Sequence, residues 1–277
     1  MYKSKLVQFL YLIIIIYCSC TALKAHEFWI EPESFLVNSN EKIVGNLLVG
    51  QMMKGVSYGY YPKNFRRFDV KTNNTISPVL GRLGDKPAIK IPAQGNHLVT
   101  LIYSTIDHTV LYNDWLQFEK FLDEKNLINA KVEHLKNNLP KTQFREKYSR
   151  FAKSLIGSGN SVGNDEKVGL EIEIVLRENP YQAENTDRLN LLLLYQGQPK
   201  ANTQIEIFSR QANMKVERNT AFTNAQGEAA LKVRPATDYM INSVIMRRPK
   251  NVNSNPENNA KPLLWESLWA SISFAVP

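Results

Sequence analysis

The spacing of apolar positions changes character twice along the chain. Over residues 26–103, short apolar or alternating runs at 27–30, 43–49, 88–91 and 98–103 are separated by polar clusters. Those clusters are Asn38-Ser39-Asn40, Lys71-Thr72-Asn73-Asn74-Thr75 and Gln94-Gly95-Asn96. Period-two patterning between such punctuation predicts strands and turns, so this part reads as a β region. From Asn113 to Ile156 the period becomes helical. Asp114 is placed to cap a helix, with Gln117 three residues later able to reach back, and Trp115, Phe118 and Leu122 recur at helical spacing. A second helix is expected over residues 128–135. After Pro140, Thr142 can cap a third that carries Phe144, Tyr148, Phe151 and Leu155 on one stripe. Aromatics at this spacing read as core and not as a binding site.

Residues 157–167, Gly-Ser-Gly-Asn-Ser-Val-Gly-Asn-Asp-Glu-Lys, read as a flexible linker. The stretch lacks the Gly-Lys-Ser/Thr ending and the preceding strand of a phosphate loop. Strand patterning returns at 170–176, 189–195, 204–208, 229–233, 239–246 and 271–276, with turns at Gly197-Gln198-Pro199 and Asn224-Ala225-Gln226-Gly227. The expected fold is therefore mainly β. An N-terminal β region with a helical insert (26–156) is followed by the linker and by an immunoglobulin- or transthyretin-like β-sandwich over 168–277. Within the last strand, Ile272 and Phe274 alternate with Ser271 and Ser273, which puts the apolar pair on the buried face. Residues 251–259 form a polar, Asn-rich loop, and no period points to a repeat array.

The first residues change the picture of where this fold works. Lys3 and Lys5 precede a stretch over 6–23 that is apolar or small apart from Gln8, and no acid appears before Glu27. That order is the pattern of a secretory signal peptide, here residues 1–25, with an uncleaved membrane anchor as the alternative. Cleavage after Ala25 makes His26 the first mature residue; cleavage after Ala22 makes it Leu23. Lipidation at Cys20 fits less well, because Tyr17 and Cys18 are poor upstream neighbours. The expected product is periplasmic or secreted, with no membrane span after cleavage. Both cysteines, Cys18 and Cys20, lie in the leader, so the mature chain has no disulfide, thiolate metal site or cysteine nucleophile. The formal charge of +8 includes Lys3, Lys5 and Lys24, and the other basic residues are scattered apart from Arg66-Arg67 and Arg247-Arg248. Without interleaved aromatics they do not form a nucleic-acid platform.

A set of segments in order along the mature chain resembles one family. His26-Glu27-Phe28-Trp29-Ile30-Glu31-Pro32 comes first, then Phe118-Glu119-Lys120-Phe121-Leu122. Residues 145–155 (Arg-Glu-Lys-Tyr-Ser-Arg-Phe-Ala-Lys-Ser-Leu) and 265–274 (Trp-Glu-Ser-Leu-Trp-Ala-Ser-Ile-Ser-Phe) complete it. Together they resemble the domain-of-unknown-function 4198 family. The resemblance implies a periplasmic protein with an immunoglobulin- or transthyretin-like C-terminal part and, from the labels many members carry, a connection to nickel or cobalt uptake. It also implies a histidine in the strand matching Val244-Ile245-Met246; this chain departs there with Ile245.

Candidate chemistry rests on the 4 histidines. A terminal His26 would offer its α-amine and a ring nitrogen, a chelate needing one further imidazole to hold Cu(II) in a tetragonal set. This arrangement resembles the histidine brace of secreted copper proteins. The partner is expected to be His97 or His108, with Asp107 orienting an imidazole or binding the ion itself. His134 reads as a solvated helix residue, and Met52-Met53 as packing residues or soft Cu(I) ligands. There is no His-Glu-x-x-His and the mature chain has no cysteine nucleophile, so no enzyme is indicated. The expected function is an exported metal-handling accessory protein for copper, nickel or cobalt, serving a metal transporter or envelope protein. The alternative is a metal-free β-sandwich module that binds a protein or envelope partner.

Overall fold

The computed structural model describes residues 26–93, 95–182, 187–212, 214–250 and 261–277; the leader at 1–25 and the Asn-rich loop at 251–259 lie outside them. Strands β1 (Glu27–Pro32), β2 (Leu36–Val37), β3 (Lys42–Gln51) and β4 (Lys54–Tyr58) open the chain. They are followed by β5 (Phe65–Thr72), β6 (Thr75–Pro78), β7 (Ile89–Pro92), β8 (Leu98–Thr105) and β9 (His108–Tyr112). Helices α1 (Trp115–Glu124) and α2 (Ile128–Lys136) precede β10 (Phe144–Ser158) and β11 (Ile172–Leu176). Then come β12 (Arg188–Tyr195), β13 (Gln198–Pro199), β14 (Gln204–Gln211) and β15 (Glu217–Phe222). The last strands are β16 (Glu228–Lys232), β17 (Thr237–Arg247) and β18 (Leu263–Val276). The fold is mainly β.

These strands make three layers. The middle sheet runs β15-β14-β17-β18-β10-β8-β5-β6, with β2 and β9 also on β10. One face of it carries Phe151, Leu155, Ile241, Ile272 and Phe274, packed on Ile172, Ile174, Leu191 and Leu193 of the sheet β11-β12-β13 with β16. That pair of sheets is the expected sandwich. The opposite face carries Val99, Leu101, Tyr103, Ala152 and Ile156 under Phe28, Ile30, Ile43 and Leu47 of the sheet β1-β3-β4 with β7. Beside that sheet, on the same face, α1 sets Phe118, Phe121 and Leu122 on Phe144, Trp265 and Trp269. Covered faces on both sides explain why β8 and β18 are buried along nearly their whole lengths. Ile272 and Phe274 do face the sandwich core, but Ser271 and Ser273 are buried as well, with Ser273 Oγ donating to the Ile30 carbonyl across the other interface.

Several expectations change. The third helix, with Thr142 as its cap, is instead the long strand β10, which pairs in parallel with β18 and antiparallel with β8 and β9. Asp114 does cap α1, its carboxylate accepting from Leu116 N at 3.0 Å, and α2 lies where the second helix was expected. Residues 157–167 do not behave as a linker between two sheets, because the middle sheet draws strands from both sides of them. They are held down: Ser158, Ser161 and Asp165 are buried, and Leu98 N donates to Val162 O. Lys153 of β10 reaches Asp165 at 2.6 Å and Glu173 of β11 at 3.3 Å, while Glu173 also accepts from the backbone of Val168, Gly169 and Leu170. A buried ammonium between two carboxylates thus pins this segment to the middle sheet.

Candidate functional site

Strand alternation along β10 decides which side chains meet. Phe144, Glu146, Tyr148 and Arg150 share the parity of Ala152 and Ile156, so they face the side of the first sheet and the helices. The first sheet covers the far end of this face and α1 covers the near end. Between them remains a cleft of about 520 Å³ lined by His26, Tyr58, Tyr112, Phe121, Glu146, Tyr148, Arg150 and Trp269, among others. In a second hollow of about 450 Å³ beside Glu31, Arg210 and Asp238 the cation is already engaged, since Arg210 reaches Glu31 at 3.2 Å and Asp238 at 3.0 Å.

The cleft floor is a hydrogen-bonded chain. Tyr112 Oη donates to Glu146 Oε2 at 2.7 Å, Ser267 Oγ bonds Glu146 Oε1, and Trp269 Nε1 donates to Ser267 Oγ at 2.9 Å. Burial pushes the Glu146 carboxyl up to about 7, with Ser267, Tyr112 and Arg150 pulling it the other way. The same burial and the adjacent Glu146 raise Tyr112 well above the usual phenol value. Glu146 is therefore a carboxyl that exchanges its proton near neutrality.

Arg150 forms the wall. Its Nη2 donates to the His26 carbonyl at 3.2 Å, its guanidinium lies 4.7 Å over the Tyr148 ring, and its buried Nε has no hydrogen-bond partner. It makes no ion pair among the described residues. Burial pulls its pKa down, an effect that Tyr148, Tyr58 and, least of all, Glu27 only partly oppose. Glu27, which follows His26 on β1, is committed elsewhere: Lys125 Nζ sits 2.8 Å from both Glu27 and Glu206 and 3.8 Å from Glu124. Glu27, Glu124 and Glu206 come together closely enough to hold an ion, but the Lys125 ammonium already occupies their centre. It serves there as a tie between α1, β1 and β14.

The expected metal residues divide into two places. His26 lines the cleft. His108 opens β9 opposite Tyr148, with its ring stacked on the Tyr148 ring at 5.3 Å, so Arg150 and Tyr148 bridge the two histidines. Burial and Arg150 hold His108 below the usual imidazole value, with Asp107 acting in the opposite sense, which favours the neutral ring a metal needs. Asp107 is engaged by Arg66 at 2.9 Å, Lys147 at 3.5 Å and the Ser149 hydroxyl at 2.8 Å, which leaves it poorly placed as a ligand. His97 is at the far end of the same strand system. Its carbonyl accepts from Ser158 N, while His108 is level with Tyr148, and that length of β10 spans roughly 30 Å at the usual rise. Its Nε2 lies 3.1 Å from Asn73 Nδ2. His97 and His26 therefore cannot share an ion. The Met52-Met53 turn packs with Trp29, Phe208 and Met240, and Ile245 is a core residue of the sandwich.

His134 is the largest departure among the histidines. It is fully buried under the helices, not solvated. The residues that the sequence did not single out are Glu146, Arg150, Tyr58 and Tyr112. Glu146 and Arg150 do fall inside the segment 145–155 used for the family resemblance, but a helical reading of it scattered them around a helix instead of aligning them on one face.

The family model described as "Domain of unknown function (DUF4198)" matches residues 23–247. No curated protein matches the chain by sequence. Among solved structures, the chain is similar to a "tetra-tandem repeat in extending region of large adhesion protein" at 9% identity and a TM-score of 0.20, covering 90% of this chain and 49% of that one. It is also similar to the "D0-D1 domain of Intimin" at 8% identity and a TM-score of 0.21, covering 89% and 97%. The chain spans about half the length of the adhesion repeat. Overlap at this level does not establish a shared fold.

Proposed function

The chain belongs to the DUF4198 family, and from that premise and the cleft we propose that it is an exported metal-handling protein whose ion sits at the cleft mouth. His26 supplies the α-amine and one ring nitrogen, and His108 the second imidazole. One observation carries this reading: the residue expected to begin the mature chain lies in the cleft, joined to His108 through Arg150 and Tyr148. A six-membered chelate, closed through the α-amine and Nδ1 of one terminal residue, needs little ordering, and Cu(II) leads the divalent series on nitrogen ligands, ahead of Ni(II) and Co(II). A metal transporter or envelope protein is the partner this role implies.

The test is titration of Cu(II) and Ni(II) into protein beginning at His26, beside a form with one additional residue before it. Tight binding by the first form and much weaker binding by the second supports the chelate. Equal affinity shows that the amine is not a ligand, and no binding by either leaves the metal-free reading. That second reading has its own observation. Ile128, Val132 and Leu135 are 57%, 55% and 42% exposed and fall on one stripe of α2, the kind of face that takes a protein partner.

A further inference from the structure

We infer that the cleft binds a small organic carboxylate with an apolar or aromatic body, its carboxylate held by Arg150 and its body lying against Tyr58, Phe121 and Trp269. The inference goes beyond the metal reading and does not depend on it. Buried charges in proteins are ordinarily paired, because an uncompensated ion loses its hydration and gains nothing in return. Arg150 breaks that pattern: its guanidinium meets the His26 carbonyl and Tyr148, its Nε has no partner, and no described carboxylate pairs with it. The acids around it are not free to help. Glu27 is held by Lys125, and Glu146 is tied to Tyr112 and Ser267 on the cleft floor. A planar guanidinium that meets no carboxylate of its own chain is the side chain best matched to one, which it grips through parallel bonds.

The rest of the cleft sets the ligand class. Its walls combine that guanidinium with Val49, Val110, Leu111, Phe121 and Trp269, and Tyr58 stands half exposed at the rim. A concave surface of this size, with apolar side chains beside polar ones such as Thr109, Asn113 and Arg150, describes a small-molecule site and not a protein groove. An inorganic anion would satisfy Arg150 and leave the aromatic walls bare; an amphipathic acid engages both.

The probe is 4-phenylbutyrate, titrated by calorimetry into the full mature chain freed of metal, with 4-phenylbutyramide and butyrate beside it. Saturable binding of phenylbutyrate is expected, with the amide and butyrate each weaker by about tenfold or more, since one lacks the charge and the other the body. Arg150→Gln should abolish the preference for acid over amide. Tyr58→Ala, at a half-exposed position, should weaken phenylbutyrate several-fold and keep that preference, which preserves the test if the Arg150 variant fails to fold. Equal affinity for acid and amide, or no saturable binding of phenylbutyrate, overturns the inference. Binding of butyrate as tightly as phenylbutyrate overturns the ligand class by showing an anion site alone.

Discussion

Trp265 Nε1 donates to His134 Nδ1 at 3.0 Å, deep in the core between the helices and the middle sheet. The other ring nitrogen, Nε2, lies 3.1 Å from the Pro140 carbonyl, which only a ring N–H can satisfy. His134 is therefore the neutral tautomer protonated at Nε2, and adding a proton to Nδ1 would set one N–H against another. Burial accordingly holds its pKa below the usual imidazole value. The folded state binds fewer protons here than the unfolded chain, so stability contributed at neutral pH is lost as pH falls below about 6.5. Urea unfolding of wild type and His134→Gln between pH 7.5 and 5 should show the difference between the two curves shrinking as pH falls. A constant difference would mean that His134 does not titrate in this way.

Glu146 works in the opposite direction. Its folded pKa, raised to about 7 from an ordinary 4.5, means that the native state binds more protons than the unfolded chain between those values. Stability present below about pH 4.5 is thus lost as pH rises through 7, by about 3 kcal/mol in all. Glutamine can keep the bonds to Tyr112 and Ser267 without the charge. Glu146→Gln is expected to remove this slope and to be more stable than wild type at pH 8, as read by chemical denaturation. A Glu146→Gln protein less stable than wild type at pH 8 would show that the charged form is the one the fold prefers.

How much of this was legible depends on where charges ended up. The strands 27–32, 42–51 and 98–105 and the cap at Asp114 follow from local patterning, because one face or one cap residue decides them. The segment 144–158 does not. Phe144, Tyr148, Phe151 and Leu155 fit a helix stripe, whereas the strand that forms must bury Glu146 and Lys153. That burial makes sense only when distant residues arrive to pair with them: Tyr112 and Ser267 for Glu146, Asp165 and Glu173 for Lys153. Periodicity cannot see such partners. The same blindness hid the cleft, since Glu146, Tyr148 and Arg150 line up only in a strand. His26 and His108 were legible as candidates by residue type alone, and only β10, on which Tyr148 and Arg150 stand, separates them from His97.

The Lys153 pin gives a stability prediction. Lys153→Met removes the ammonium and leaves Asp165 and Glu173 buried without their cation. Breaking a buried pair from one side costs about 3–5 kcal/mol, and here it should also free residues 163–170. Limited proteolysis of wild type should spare this segment despite its glycines, and the variant should be cut there first. Early cleavage of wild type within 157–167 would show that the segment is looser than its buried partners require.

The last prediction separates the metal from the carboxylate. Arg150 lies beside His26, with Nη2 3.2 Å from that residue's carbonyl, so its charge acts on any ion the terminal chelate holds. Unit charges about 4 Å apart repel by about 4 kcal/mol at an effective dielectric of 20, and a dication feels more at the same distance, though less as the separation grows. Arg150→Gln keeps a donor for the His26 carbonyl while removing that repulsion. If about 1.4 kcal/mol of that repulsion reaches the ion at its greater distance, the variant binds Cu(II) about tenfold more tightly than wild type, while losing its preference for phenylbutyrate over the amide. The two sites predict opposite signs for one substitution. A further consequence follows from charge alone: phenylbutyrate bound at Arg150 should strengthen Cu(II) binding in wild type, because it neutralises the same guanidinium, and should do much less in the variant. Calorimetric titration of Cu(II) with and without phenylbutyrate measures this coupling. Unchanged Cu(II) affinity in Arg150→Gln would place the ion away from His26, whatever the carboxylate does.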